Sequence, residues 1–208
     1  MSTANQTSAT ASAVLLGLLL AAPRTADAQA ARPAPAARSG WELIASSGAL
    51  VPTGAQRAAL KDASLSAAQL SYVVRSRFAV TTTVGWARSR DLLAEGDPKL
   101  PVFTYDVGVE ARAPRWLAGD AVTFTPFAGA GAGGRSYDYR GRDVDATHGV
   151  AGYVTAGGEL GAGRLRVRVE ARDYVTGFKP LVGGGAAAAR NDVMLLAGLR
   201  YTRKRATD

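Results

Sequence analysis

Residues 164–172, RLRVRVEAR, place Arg164, Arg166, Arg168, Glu170 and Arg172 on one parity and Leu165, Val167, Val169 and Ala171 on the other. Successive side chains of a β-strand point to opposite faces, so this stretch predicts a strand with one aliphatic and one charged face. The same period of two recurs from Trp41 onward. Residues 41–51 align Trp41, Leu43, Ala45, Ala49 and Val51, and residues 67–75 align Ala68, Leu70, Tyr72 and Val74. Residues 77–87 align Phe78, Val80, Thr82, Val84 and Trp86, and residues 102–112 set Phe103, Tyr105, Val107, Val109 and Ala111 against Thr104, Asp106, Gly108, Glu110 and Arg112. Residues 122–134 align Val122, Phe124, Ala128 and Ala130; residues 150–161 align Val150, Val154, Ala156 and Leu160. The last segment, 192–202, aligns Val193, Leu195, Ala197, Leu199 and Tyr201.

The count is eight, and the connections alternate. Long ones follow the first, third, fifth and seventh segments; shorter ones follow the second, fourth and sixth. In an up-and-down meander those two sets fall at opposite ends, with short turns at one rim and long loops at the other, as in outer-membrane barrels. Helical patterns are confined to residues 55–63 and 185–190, inside the long connections, too brief to cover an open sheet. The expected architecture is all-β: an eight-stranded antiparallel up-and-down transmembrane β-barrel over residues 41–203, with a basic tail at 204–208.

Alternation alone does not say which face is dry. A soluble exported barrel of the lipocalin kind, binding an apolar ligand inside, has the same period, and a narrow pore is a further alternative. Three features favour lipid outside. The polar parity mixes small residues with both charge signs. Glu42, Glu110, Arg112, Glu159, Arg166, Arg168, Glu170, Arg172 and Arg200 are candidates to fill a narrow lumen as ion pairs, together with Arg75 and Arg77. The apolar parity carries aromatics near segment ends: Trp41, Phe78, Phe124 and Tyr201 toward the short-turn rim, and Trp86, Phe103 and Tyr105 toward the long-loop rim. Interfacial belts have this composition. The third feature is an export signal. The apolar run at 13–22 is too short for a transmembrane helix, Pro23 ends it, and Ala26-Asp27-Ala28 forms a small-x-small cleavage pattern. Residues 1–28 are expected to be a signal peptide, atypical in having no Lys or Arg before the run, and 29–40 a Pro/Ala-rich linker. Once a membrane is granted, energy fixes the register. An Arg on the lipid side at mid-bilayer costs about 2–4 kcal/mol, so turning the charged faces of the fourth and seventh strands outward costs on the order of 10 kcal/mol.

The net charge of +8 invites a nucleic-acid reading. The basic residues, however, are spread along alternating segments rather than clustered on a helix or among stacking aromatics, and nucleic acid is not expected. With no Cys in the chain, disulfides and thiol catalysis are excluded.

Residues 123–134, TFTPFAGAGAGG, resemble the Thr-Pro-aromatic strand with alternating Gly of small outer-membrane barrels. Residues 157–174, GGELGAGRLRVRVEARDY, are similar to the following hairpin, and residues 48–54, GALVPTG, to a first strand leaving the membrane. The family so resembled is the OmpA-like, opacity-type eight-stranded outer-membrane barrel, over about residues 41–203. The resemblance implies an anchored monomeric barrel with a plugged or very narrow lumen, in which Glu170 pairs with Arg168 or Arg172 and Glu110 with Arg112. It also implies outer-membrane lipid, lipopolysaccharide and the barrel-assembly machinery as partners. That family usually ends on an aromatic; here Tyr201 is followed by TRKRATD.

No enzyme, cofactor or metal is expected. His148 is the sole His, and nothing in the sequence holds Ser136 and Glu159 near it as a nucleophile and orienting acid. Asp138, Asp143 and Asp145 are interleaved with Arg140 and Arg142, a mixed-charge loop rather than a calcium cage. Gly129, Gly131, Gly133 and Gly134 lack the Lys-Ser/Thr of a phosphate loop. Arg57, Lys61, Lys99 and Lys179, in long loops, are candidates for lipopolysaccharide phosphates.

Overall fold

A computed structural model describes residues 40–75, 77–117, 122–139, 146–178 and 188–203. The expected signal peptide and basic tail lie outside them, as do Lys179, Asp143, Asp145 and the expected linker except Gly40, which begins β1. Eight long strands form the wall: β1 (Gly40–Pro52), β2 (Ala63–Arg75), β3 (Phe78–Arg90), β4 (Lys99–Arg112), β6 (Thr123–Tyr137), β7 (Thr147–Ala162), β8 (Leu165–Phe178) and β9 (Ala188–Thr202). A two-residue strand, β5 (Trp116–Leu117), adds to β6 at the short-turn rim, where the sequence shows only a turn. Sequential neighbours pair antiparallel, β1 pairs with β9, and β4 pairs with β6, so the sheet closes on itself with no free edge along the wall.

The parity read from the sequence is the parity of the wall. Val107, Val109, Val167 and Val169 are all more than half exposed, while Glu110, Arg168 and Glu170 are at most 5% exposed. A soluble barrel with an apolar interior, the alternative above, has the opposite arrangement; the structure overturns it. Each wall strand is hydrogen-bonded to a neighbour on either side, as a sheet that crosses hydrocarbon must be. Gly163, at φ 63, opens the two-residue turn between β7 and β8, a conformation that β-hairpin turns require and side chains resist.

The strands run further into the long-loop end than the alternation suggests. Residues 55–63 are no helix: Gly54–Ala58 is a single 3-10 turn and Ala63 begins β2. In the second helical candidate, residues 188–190 are strand and 185–187 lie outside the described residues. Inside this end sits an apolar core of Leu50, Leu60, Leu65, Leu100, Val102, Tyr137, Tyr139, Met194 and Leu196. The 3-10 turn lies over it. Leu60 pairs with Asp91, Lys61 N–H donates to Arg90 O at 3.1 Å, and Leu92 N–H donates to Ala59 O at 2.8 Å. Tyr139 donates its hydroxyl proton to Asp91 Oδ2 at 2.6 Å, and Thr53 N–H bonds Asn191 O at 3.0 Å. The first two long loops and the start of the third thereby form a lid on the lumen.

The outward valines set a test of the wall. Val169→Arg is expected to cost about 2–4 kcal/mol and Leu117→Arg at the rim less than about 1 kcal/mol, read from urea unfolding of the protein folded into phospholipid vesicles.

Candidate functional site: an ion-paired lumen

The charged parity meets itself across a narrow barrel. Arg112, at the end of β4, binds Glu42 of β1 through two parallel hydrogen bonds of 3.0 and 2.6 Å. Its Nε donates to Glu110 Oε1 at 2.7 Å. Glu110 accepts from Arg168 of β8 at 2.6 Å, and Arg168 also donates to Glu159 of β7 at 2.9 Å. Glu159 lies 2.8 Å from Arg200 of β9, and Arg200 returns to Glu42 at 3.2 Å. These six side chains therefore form a closed ring of alternating sign contributed by five strands. Charge-assisted, forked Arg–carboxylate contacts of this type are the stronger class of hydrogen bond.

An arm leads from the ring toward the loops. Arg168 Nε donates to Glu170 at 2.8 Å, and Glu170 accepts from Arg172 and, at 2.9 Å, from Thr155. Arg172 donates to Gln69 at 2.5 Å and Thr83 at 3.1 Å, and lies 3.8 Å from Asp106. Asp106 in turn accepts from the Tyr174 hydroxyl. Arg135 and Asp192, both fully buried, form a separate pair below the lid. Aromatic rings fill the remaining space. Arg168 stacks on Phe127 at 3.6 Å, Arg135 on Tyr174 at 4.4 Å and Arg172 on Tyr153 at 5.1 Å. Gly108 and Gly131 are needed here because a Cβ at either would strike the Tyr153 side chain.

All nine lumen candidates face inward. Arg166 joins no pair among the described residues: it is 6% exposed, and its Nη1 has no hydrogen bond there. Arg75 and Arg77 do not face inward. They flank the β2–β3 turn, where Arg75 pairs with Phe78 and the ladder ends, so both are exposed at the rim. Sequence reasoning missed Arg135, Asp192 and the stacking partners Phe127, Tyr153 and Tyr174. Arg135 lies beyond the apparent end of its alternating segment and Asp192 is the first residue of its own, so neither stood out as a lumen residue.

The belt candidates all lie on the outer wall. Trp41, Phe78, Phe103, Tyr105 and Tyr201 are exposed; Trp86 and Phe124 are half-buried. Trp41 packs on Tyr72 at 4.9 Å, Trp86 stacks on Phe103 at 6.2 Å, and Trp116 packs on Phe124 at 5.7 Å. Tyr72 and Trp116 are thus further members of the same outward aromatic set. Among the described residues no cluster of His, Asp and Glu is placed to hold a metal. His148 is exposed, and Ser136 stands directly opposite it across β6 and β7, a proximity the sequence did not show. No hydrogen bond joins the two. Glu159 is at the other end of β7, committed to Arg168 and Arg200.

No protein-family model matches the sequence, and no curated relative matches it either. Solved structures do match. Neisserial surface protein A superposes with a TM-score of 0.56 at 13% identity, over 78% of this chain and 97% of that one. The chain has that barrel's fold. The N-terminal β-barrel domain of Pseudomonas aeruginosa OprF gives a TM-score of 0.48 at 8% identity, over 80% and 100% of the two chains. Outer membrane protein AlkL, solved in DMPC lipid bilayers, gives 0.49 at 16% identity, over 85% and 97%.

The ring makes a specific energetic prediction. Arg168→Met takes one of its arginine partners from each of Glu110, Glu159 and Glu170 in a desolvated lumen and is expected to lower stability by about 3–5 kcal/mol. The joint replacement Arg135→Leu with Asp192→Leu removes both charges of an isolated pair and is expected to be near neutral. Urea midpoints in vesicles distinguish the two.

Proposed function

We propose that this chain is an integral outer-membrane β-barrel with a structural or surface-interaction role, its specificity carried by the four long loops. One observation supports this above the others: a closed wall that is apolar outside and ion-paired inside. Such a molecule is stable only in a bilayer. The fold shared with Neisserial surface protein A and the signal-like N-terminus favour the outer membrane of a Gram-negative-type cell.

The filled lumen weighs against a pore. The ring ties β4 to β8 across the interior, and an apolar core fills the described part of the loop end. A hydrolase reading is weakened by the commitment of Glu159 to two arginines and by the absence of a hydrogen bond between His148 and Ser136. Of the basic residues read as meeting lipopolysaccharide, Arg57, Lys61 and Lys99 are exposed on the loop side. Lipopolysaccharide and the assembly machinery remain the partners of this reading.

The test is recovery with outer-membrane fractions, a band that shifts on boiling in a detergent gel, and no conductance steps in planar bilayers. Recovery in the detergent-free periplasmic fraction overturns the reading.

A further inference from the structure

The two rims of the barrel differ in charge. At the loop rim, exposed Arg57, Lys61, Arg88, Arg90 and Lys99 are interspersed with exposed Asp62, Glu95, Asp97 and Asp138. At the short-turn rim, Arg75, Arg77, Arg115, Arg164 and Arg203 are exposed, and no exposed acid accompanies them among the described residues. None of these five arginines has an ion-pair partner among the described residues. A described rim of one sign, on a molecule whose interior pairs all of its arginines but Arg166, calls for a counter-charge from outside.

The aromatics fix where that counter-charge lies. Arg77 precedes Phe78, Arg115 precedes Trp116, and Arg203 donates its backbone N–H to Trp41 O at 3.1 Å. Those three rings are each more than half exposed on the outer wall. Outward Trp, Tyr and Phe at a barrel rim sit at headgroup depth, so the guanidinium groups beside them lie at the level of lipid phosphates. A second observation points the same way. Just inside this mouth, Arg166 is buried with an unbonded Nη1 and has Arg115 and Arg112 as like-charged neighbours, against Glu159 and Glu42. The mouth thus carries more cation than its own carboxylates neutralise.

We propose that the short-turn rim is a binding surface for anionic glycerophospholipid headgroups of the leaflet it borders. Guanidinium forks match phosphate oxygens in pairs, and an Arg beside an anionic membrane surface contributes enough to enrich such lipids several-fold. The proposal rests on the membrane-barrel reading, and its test reports on that reading separately.

The experiment uses the full chain folded into bilayers of phosphatidylcholine with phosphatidylglycerol, one lipid brominated at a time. Of the three Trp, Trp86 is replaced by Phe, leaving Trp41 and Trp116 at the short-turn rim as the fluorophores. Brominated phosphatidylglycerol is expected to quench with about fivefold higher relative affinity than brominated phosphatidylcholine at low salt, and the preference to shrink as salt is added. Replacing Arg75, Arg77, Arg115, Arg164 and Arg203 by Gln, all outside the lumen network, is expected to bring the ratio to about one. Excess inorganic phosphate is expected to leave the preference in place. Equal quenching by both lipids in the starting protein overturns the proposal. So does a preference that survives the five substitutions, or one abolished by free phosphate, which marks a soluble-anion site. The boiling-dependent gel shift of each variant shows whether the barrel itself has formed; its absence in the starting protein sinks the membrane reading instead.

Discussion

No ionised side chain can face hydrocarbon cheaply, and this chain carries its charges along the strands that must cross it. The ring running Glu42, Arg112, Glu110, Arg168, Glu159, Arg200 and back to Glu42 is the resolution. Once these residues turn inward, period two forces Leu43, Val109, Ala111, Leu160, Val167, Val169, Leu199 and Tyr201 outward. The same turn explains why the barrel is narrow: guanidinium and carboxylate groups from opposite walls must come within about 3 Å of each other. Glu42, Asp106, Glu110, Glu159, Glu170 and Asp192 stand against Arg112, Arg135, Arg166, Arg168, Arg172 and Arg200. Asp91, under the lid, is a further buried carboxylate, so among the described residues the interior carries no excess of positive charge although the chain as a whole is strongly basic, and that excess is left for the rims and loops.

The wall was legible because its signal is redundant. Each strand repeats its parity over several residues, so Val107 or Arg168 is assigned by its neighbours as much as by itself. The lid and the apolar core were not legible for the same reason. Leu50, Leu65, Leu100, Val102, Met194 and Leu196 are apolar residues on the polar parity, and against a background of Thr, Gly and Arg they read as noise. They face inward where the lumen leaves the membrane and no longer needs polar filling. Leu60 and Gln56 are buried because a loop folds back, an outcome that depends on Asp91 and Tyr139 far along the chain. Within the lumen the ion-pair residues were visible as types, while the closed circuit was not. Partners such as Arg168 and Glu110 lie 58 residues apart, and only the closure of the sheet sets them face to face.

Among the described residues the lumen is occupied by charge pairs below and by Leu, Tyr and Met above. The outer surface offers the loops, the apolar wall and the rims. The wall itself is not uniform. Small outward residues Ser47, Ala49, Ala156, Gly158 and Ala197 form a shallow depression between Leu195, Leu160 and Phe124, of about 870 Å³. Rigid support behind such surfaces is what a cross-braced interior supplies.

The seam between β1 and β9 joins the first and last strands of the chain, and Glu42 meets Arg200 across a separation of 158 residues. Until that seam zips, the ring has a gap, and a carboxylate and a guanidinium at its two ends still belong to water. Closing the circuit and closing the barrel are therefore the same event. A chain truncated before β9 has every other strand, yet it cannot neutralise Glu42 and Glu159 fully, and it gains the least where a half-made barrel would otherwise linger. The last strand supplies the guanidinium that joins Glu42 to Glu159, so the network is complete only when the sheet is.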